Sequence, residues 1–215
     1  MNVIQLNEKT HHGVLFEAVR VVKAGGVICY PTDTIYGLGG NALEAGVARR
    51  IRRIKKRPEE KGMIILVRDV TMARMYAYID LWTETLLGDL WPGPITVVLQ
   101  KKDTMPDIVS GGKETIALRM PHFLFVNELA KQIDFPLIAT SANVSGDSNQ
   151  PRTLASFLAA MRSARYKPDL AIDAGELPNH EPSTVLDLTN RKNPVILRHG
   201  VLSKSDLDQM LAKHL

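Results

Sequence analysis

Eight of the thirteen residues from Arg49 to Lys61 are basic, in the run RRIRRIKKRPEEK, and the Gly-rich segment PTDTIYGLGGNA lies a few residues before it. Fixed positive charge beside a backbone that can approach closely is what an anionic ligand requires, whether a polyphosphate or a nucleic acid. The run has internal order. Val47, Ala48, Ile51 and Ile54 recur at steps of three and four, so a helix can bury them. That places Arg49, Arg50, Arg52 and Arg53 on its flanks and outer face, pointing away from any cavity. Pro58 stops the helix, leaving Lys55, Lys56, Arg57 and Lys61 at or past its C-terminal end. A helix dipole also favours cations there, so a solvated helix face is the other reading of the four outer arginines.

Thr140-Ser141-Ala142-Asn143-Val144-Ser145-Gly146 forms a second polar cluster directly after an apolar strand, where ligand loops of α/β sheets lie. Its hydroxyls and amide suit phosphate and ribose oxygens, or a helix cap or Asx turn. Arg119, closing TIALRM, reads as an ion-pair partner or a carboxylate clamp. Other chemistries find less support. GxxxxGK[ST] is absent. Gly37-Leu38-Gly39-Gly40-Asn41-Ala42 fits GxGxxG/A, yet six residues separate it from the strand end. The position where a ribose-binding acid belongs falls in the basic loop at Glu59-Glu60, which argues against a dinucleotide fold. His11, His12, His122, His180, His199 and His214 form no metal-ligand spacing, and no Ser, His and Asp pair as a triad. Cys29, the single cysteine, sits in the apolar run Val27-Ile28-Cys29-Tyr30 and reads as a packed core thiol in a reducing cytosol.

The elements that must hold these groups alternate. Helices are predicted over 13–24, 43–54, most of 70–90, 122–133, 153–163 and 204–213, the last capped by Ser203 or Ser205. Strands are predicted over 26–30, 63–67, 95–100, 115–120, 136–140, 169–173, 184–188 and 195–199. Such a mixture indicates an α/β or α+β sheet covered by helices, and 215 residues without a linker or repeat suit one domain, 1–215. The balance of 27 Lys+Arg against 23 Asp+Glu is too mild for a nucleic-acid coat, so the charge that matters is local. With no apolar stretch near 18 residues and no signal-peptide h-region, a soluble, cytoplasmic protein without membrane partners is expected.

Taken in order, PTDTIYGLGGNA, Lys55-x-Arg57-Pro-x-x-Lys61, WPGPIT, ALRM, the Ser141-Ala142-Asn143 triplet, PSTVLDL and LRHG resemble the YrdC family over nearly the whole chain. The match is to its short bacterial form, without the C-terminal domain that longer relatives carry. The YciO branch lacks the Lys-x-Arg with Ser-x-Asn combination that Lys55, Arg57, Ser141 and Asn143 supply here. The resemblance implies a twisted, mainly parallel open sheet with helices around a large basic cavity. It implies that L-threonine, bicarbonate and ATP give threonylcarbamoyl-adenylate and pyrophosphate, for modification of the adenosine next to the tRNA anticodon by partner proteins. Lys55, Arg57 and Lys61 would then hold the phosphates as the catalytic cations, with Ser141, Asn143 and Arg198 on the nucleotide. Thr34, Arg119, Ala139 and Ser183 would line the threonine pocket, with Arg119 on the carboxylate, and Thr32 and Tyr36 would shape it. Magnesium would arrive on the ATP phosphates, with no metal bound by the protein itself.

Leu66 stands where some longer relatives place a histidine near the amino acid, and the loop Asp147–Gln150 is slightly long for the family. Two rival readings use the same residues. One is a non-catalytic module binding tRNA or double-stranded RNA through the Arg49–Arg57 surface. The other is an enzyme of this fold that passes a carbamoyl-adenylate to a target other than tRNA, as in hydrogenase maturation.

Overall fold

The computed structural model describes residues 1–143, 151–178 and 181–214. Its strands are β1 (Asn2–Gln5), β2 (Ile28–Tyr30), β3 (Gly37–Gly39), β4 (Ile64–Leu66), β5 (Ile95–Gln100), β6 (Thr115–Arg119), β7 (Leu137–Ser141), β8 (Leu170–Asp173), β9 (Thr184–Asp187) and β10 (Val195–Arg198). Its helices are α1 (His11–Lys23), α2 (Ala45–Lys55), α3 (Val70–Tyr76), α4 (Leu81–Leu90), α5 (Asp107–Ser110), α6 (Leu124–Gln132), α7 (Leu154–Arg162) and α8 (Lys204–Ala212). The strands join in the order β1-β8-β2-β3-β7-β4-β6-β5-β9-β10.

Period-two alternation sorts the strand side chains into two layers. Ile28, Leu66 and Leu137 pack with α1 and α6 through Leu15, Ala18, Val22, Phe125 and Leu129. Their chain neighbours Cys29, Ile65 and Ile138 face the opposite layer, with Ile51 of α2, Leu86 of α4, Phe157 of α7 and Leu207 of α8. Runs that are apolar at every position, such as Ile64–Leu66, are therefore strands buried on both faces. Ser203 caps α8, accepting from the Asp206 N–H at 3.1 Å.

The open sheet and its helical cover are as expected, but the pairing differs from a mainly parallel one. Among the described residues the nine strand pairings divide into four parallel and five antiparallel. The antiparallel excess comes largely from β3, which pairs antiparallel with both β2 and β7. Its glycines read as a turn in the sequence, because glycine carries little strand propensity. Asn2–Gln5, too short and polar to signal a strand, pairs parallel with β8. The long helical stretch over 70–90 is two helices, α3 and α4, each capped by an aspartate: Asp69 accepts from Met72 N–H and Asp80 from Thr83 N–H.

α2 ends before its proline. Lys56 adopts a left-handed conformation, φ 52°, and the N–H groups of Lys56 and Arg57 donate to the carbonyls of Arg53 and Arg52. This double closure is the usual glycine-type helix stop, here made by a lysine, and it folds Arg57 back beside the helix end.

Candidate active site

One cleft of about 310 Å³ opens where β3, β7, β4 and β6 meet, and all twelve residues singled out in the sequence line it. Thr32, Thr34 and Tyr36 come from the segment leading into β3, Ala139 and Ser141 from the end of β7, and Asn143 from just beyond it. Arg119 ends β6, Ser183 precedes β9 and Arg198 ends β10. Lys55, Arg57 and Lys61 come from the end of α2 and the loop after it. Strand ends thus gather groups that lie up to 166 residues apart in sequence, from Thr32 to Arg198.

The α2 end is cationic. Lys55 is 1% exposed. Its ammonium donates to the carbonyl and hydroxyl of Ser141 and to the carbonyl and side-chain oxygen of Asn143, the last two at 2.7 and 3.0 Å. The Ser141 hydroxyl in turn donates to Asn143 Oδ1 at 2.6 Å. Burial, and then the charge of Arg57, pull Lys55 down to about 7, while the four oxygens around it favour the protonated form. Half-buried Arg57 donates to the carbonyls of Lys61 and Gly62 at 3.2 and 2.5 Å. The side chain of Lys61 is exposed.

The β6 end is built around Arg119, 5% exposed. Its guanidinium donates to Gly93 O at 3.1 Å, Thr34 Oγ1 at 2.9 Å and Asp33 Oδ1 at 2.5 Å. Thr32 and Thr34 share a hydroxyl contact at 3.0 Å. Arg198 donates to the carbonyl and hydroxyl of Ser183 at 2.7 and 3.2 Å, and the Ser183 hydroxyl meets that of Thr96 at 2.8 Å. Burial holds Arg57, Arg119 and Arg198 below the ordinary arginine range, with Asp33 opposing the effect at Arg119. Ile64, Leu66 and Ala139 supply an apolar wall between the two ends. Tyr36 shapes the rim from beneath: its hydroxyl donates to Gly175 O at 2.7 Å and accepts from Ala174 N–H at 2.9 Å.

Two partners of the cleft residues are not legible in the sequence. Asp33 pairs with Arg119 and accepts from the His122 N–H at 3.1 Å. Only its place between two cavity-facing threonines hints at a different orientation. Arg52 is a correction. Helical periodicity sets it on the outer face of α2, but it is 5% exposed and donates to the carbonyls of Pro58, Lys61 and Ile108. It lies four residues after Ala48 and three before Lys55, so it shares the buried stripe's edge. Arg49 and Arg53 are exposed, as expected. Ser145, Gly146 and Asp147–Gln150 lie outside the described residues, as does His180. Among the described residues no three His, Cys, Asp or Glu side chains come together as a metal site.

Comparison with known proteins bears on this arrangement. The Sua5/YciO/YrdC family model, described as "Telomere recombination", matches residues 20–200. The chain belongs to this family. Among the family's proteins it is similar to the threonylcarbamoyl-AMP synthase of Pyrococcus abyssi, at 32% identity over 212 residues, which cover 98% of this chain and 61% of the relative. The chain therefore spans about three fifths of that relative's length. The structure of P. abyssi Sua5 complexed with L-threonine superimposes with a TM-score of 0.90 at 32% identity, covering 98% of this chain and 61% of that one. E. coli YciO superimposes with a TM-score of 0.81 at 28% identity, covering 94% and 96%. The fold shared with these relatives is thus the open sheet and its helical cover.

Proposed function

We propose that the protein is an L-threonylcarbamoyladenylate synthase, joining L-threonine, bicarbonate and ATP in this cleft. The observation that carries the reading is the pairing of a cationic end, Arg57 and Lys61, with a guanidinium end, Arg119, across a short apolar wall. ATP phosphates fit the first end, with Ser141, Asn143 and Arg198 on the rest of the nucleotide. A small amino acid fits the second, its carboxylate on Arg119 beside Thr34, Ala139 and Ser183. A solved relative carries L-threonine, which supports that choice of amino acid.

The chemistry then balances. The amine nitrogen bonds the carbon of bicarbonate with loss of water, giving a carbamate. A carbamate oxygen attacks the α-phosphorus, and the bond to pyrophosphate breaks. An anion attacking a polyanion is limited by charge repulsion, so fixed cations and positioning do most of the work. Magnesium carried on the phosphates supplies further neutralising charge. Lys55, expected on the phosphates with Arg57 and Lys61, is tied to Ser141 and Asn143 and in this reading holds the turn that faces the nucleotide.

In this reading residues 1–215 act as one domain in the cytoplasm, and the adenylate passes to partner proteins that modify adenosine next to the tRNA anticodon. A contact with tRNA or double-stranded RNA would use the outside of α2, where Arg53 and Arg165 stack on Tyr166 at 5.6 and 5.5 Å from its ring centre. No helix among the described residues is long and apolar enough to cross a membrane. The decisive measurement is pyrophosphate release from ATP with threonine or bicarbonate omitted in turn. Release should require both. Equal release with either one missing would make the protein a nucleotidase and end this reading.

A further inference from the structure

The loop that presents Arg57 and Lys61 is held from behind by a buried cation. Arg52 projects from α2 into the space between that loop and α5. Its Nη2 donates to Lys61 O at 3.1 Å and to Ile108 O at 2.7 Å, and its Nη1 donates to Pro58 O. Arg57 donates from the other side to Lys61 O and Gly62 O. Two guanidinium groups therefore converge on the carbonyl of Lys61. Main-chain contacts complete the frame: Met63 N–H donates to Val109 O at 2.8 Å, and Gly62 packs so closely on Ser110 that an added Cβ would lie 2.8 Å from its carbonyl.

A buried cation needs compensation. Among the described residues no carboxylate lies within ion-pair distance of Arg52, and its Nε has no hydrogen-bond partner. Three carbonyl dipoles, two of them from the loop itself, compensate it, helped at longer range by the charges of Glu59 and Glu60 in the same loop. Without Arg52 the Lys61 carbonyl would still accept from Arg57 and the Pro58 carbonyl from the Lys61 N–H, but these contacts lie within the loop and do not reach α5. Its charge is also felt at the site, since Arg52 lowers the pKa of Arg57, second to burial.

We propose that Arg52 is a positioning residue for phosphate binding: it fixes the Pro58–Lys61 loop against α5, so that Arg57 and Lys61 present their cations to one end of the cleft. The inference rests on the reading that this end binds ATP. It assigns Arg52 no contact with substrate, and it sets the residue apart from Arg49 and Arg53 on the same helix. Because the Arg119 end is built from other elements, loss of Arg52 should be felt at the phosphates and not at the amino acid.

The test compares Arg52→Met and Arg52→Lys with the wild-type protein in threonine-dependent pyrophosphate release. Wild-type activity comes first, since its absence would dispose of the ATP reading and not of the role of Arg52 in particular. Given that activity, Arg52→Met should raise KM for ATP about tenfold or more, the scale of removing a charge-assisted hydrogen bond, with KM for threonine changed less than about twofold. Arg52→Lys, which returns the charge and three donors, should recover KM for ATP to within about threefold. If Arg52→Met does not fold, Arg52→Leu replaces it, also without charge or donor. A folded neutral variant with wild-type KM for ATP overturns the proposal. So does one in which both KM values rise together, because that is the mark of general loosening.

Discussion

At the scale of single residues the site is decided by what each cation is paired with. Lys55 is the clearest case: its ammonium is spent on Ser141 and Asn143, and burial has pulled it to about 7 from the ordinary 10.5. The consequence for stability has a definite sign. Between these two values the unfolded chain holds a proton that the folded chain has released, so stability rises with pH across that window. The burial penalty is present in full below the lower value and fades toward the upper one. Denaturant titrations at steps from pH 7 upward should show the wild-type protein gaining stability relative to Lys55→Met, which has no titratable group at this position. A difference that stays flat with pH would mean that the four surrounding oxygens keep Lys55 charged throughout. Sequence motifs place Lys55 in the right cleft, as they do Arg57, Lys61, Arg119 and Arg198. They cannot supply the partners, because Asp33 and the carbonyl of Ser141 come close only when the sheet forms. Arg52 shows the same limit, since a helical periodicity says which stripe is buried but not that a guanidinium at its edge will find three carbonyls.

At the scale of elements, the apolar runs and helix stripes are legible because burial writes them directly into residue type. β3 is not. Gly37–Gly39 has the composition of a turn, and only its neighbours make it a strand: Tyr30 crosses over it, and β7 lies alongside. An added Cβ at Gly39 would collide with the Ile138 carbonyl and lie 2.7 Å from Tyr30 Cε1. The glycines are there because two flanking elements approach too closely for a side chain. Gly39→Ala should therefore cost about 1–3 kcal/mol in overpacking. Gly13, inside α1 with nothing within 4 Å of its missing Cβ, gives the opposite expectation: Gly13→Ala should add roughly 0.5–1 kcal/mol through helix propensity. Chemical denaturation of the two variants separates the cases. A Gly39→Ala protein as stable as the wild type would show that β3 shifts freely, and the close packing around it would not be what selects glycine.

At the scale of the whole molecule, a net charge of +4 hides two separate positive regions. One is the cleft. The other is the outer surface of α2 with the end of α7 and the turn after it, which carries Arg49, Arg53, Arg162 and Arg165, all exposed. Arg50 belongs to neither, because it is clipped to Asp169 at 2.7 and 2.8 Å and to the Lys167 carbonyl at 2.9 Å, fastening α2 to the chain entering β8. The helix therefore sends Lys55 and Arg52 inward, uses Arg50 as a fastener, and leaves Arg49 and Arg53 outside. That division sets the final prediction. Replacing Arg49, Arg53 and Arg165 together with Gln removes the outer charge and leaves the cleft untouched, so threonine-dependent pyrophosphate release should stay close to wild type. Retention of tRNA on filters should weaken, and its dependence on salt should flatten by about one unit of slope for each phosphate no longer neutralised. Loss of synthesis by a variant that melts normally would place these arginines in the active site and refute the division. Unchanged tRNA retention across the salt series would instead leave them as the solvated face of a helix whose work is done on its inner side.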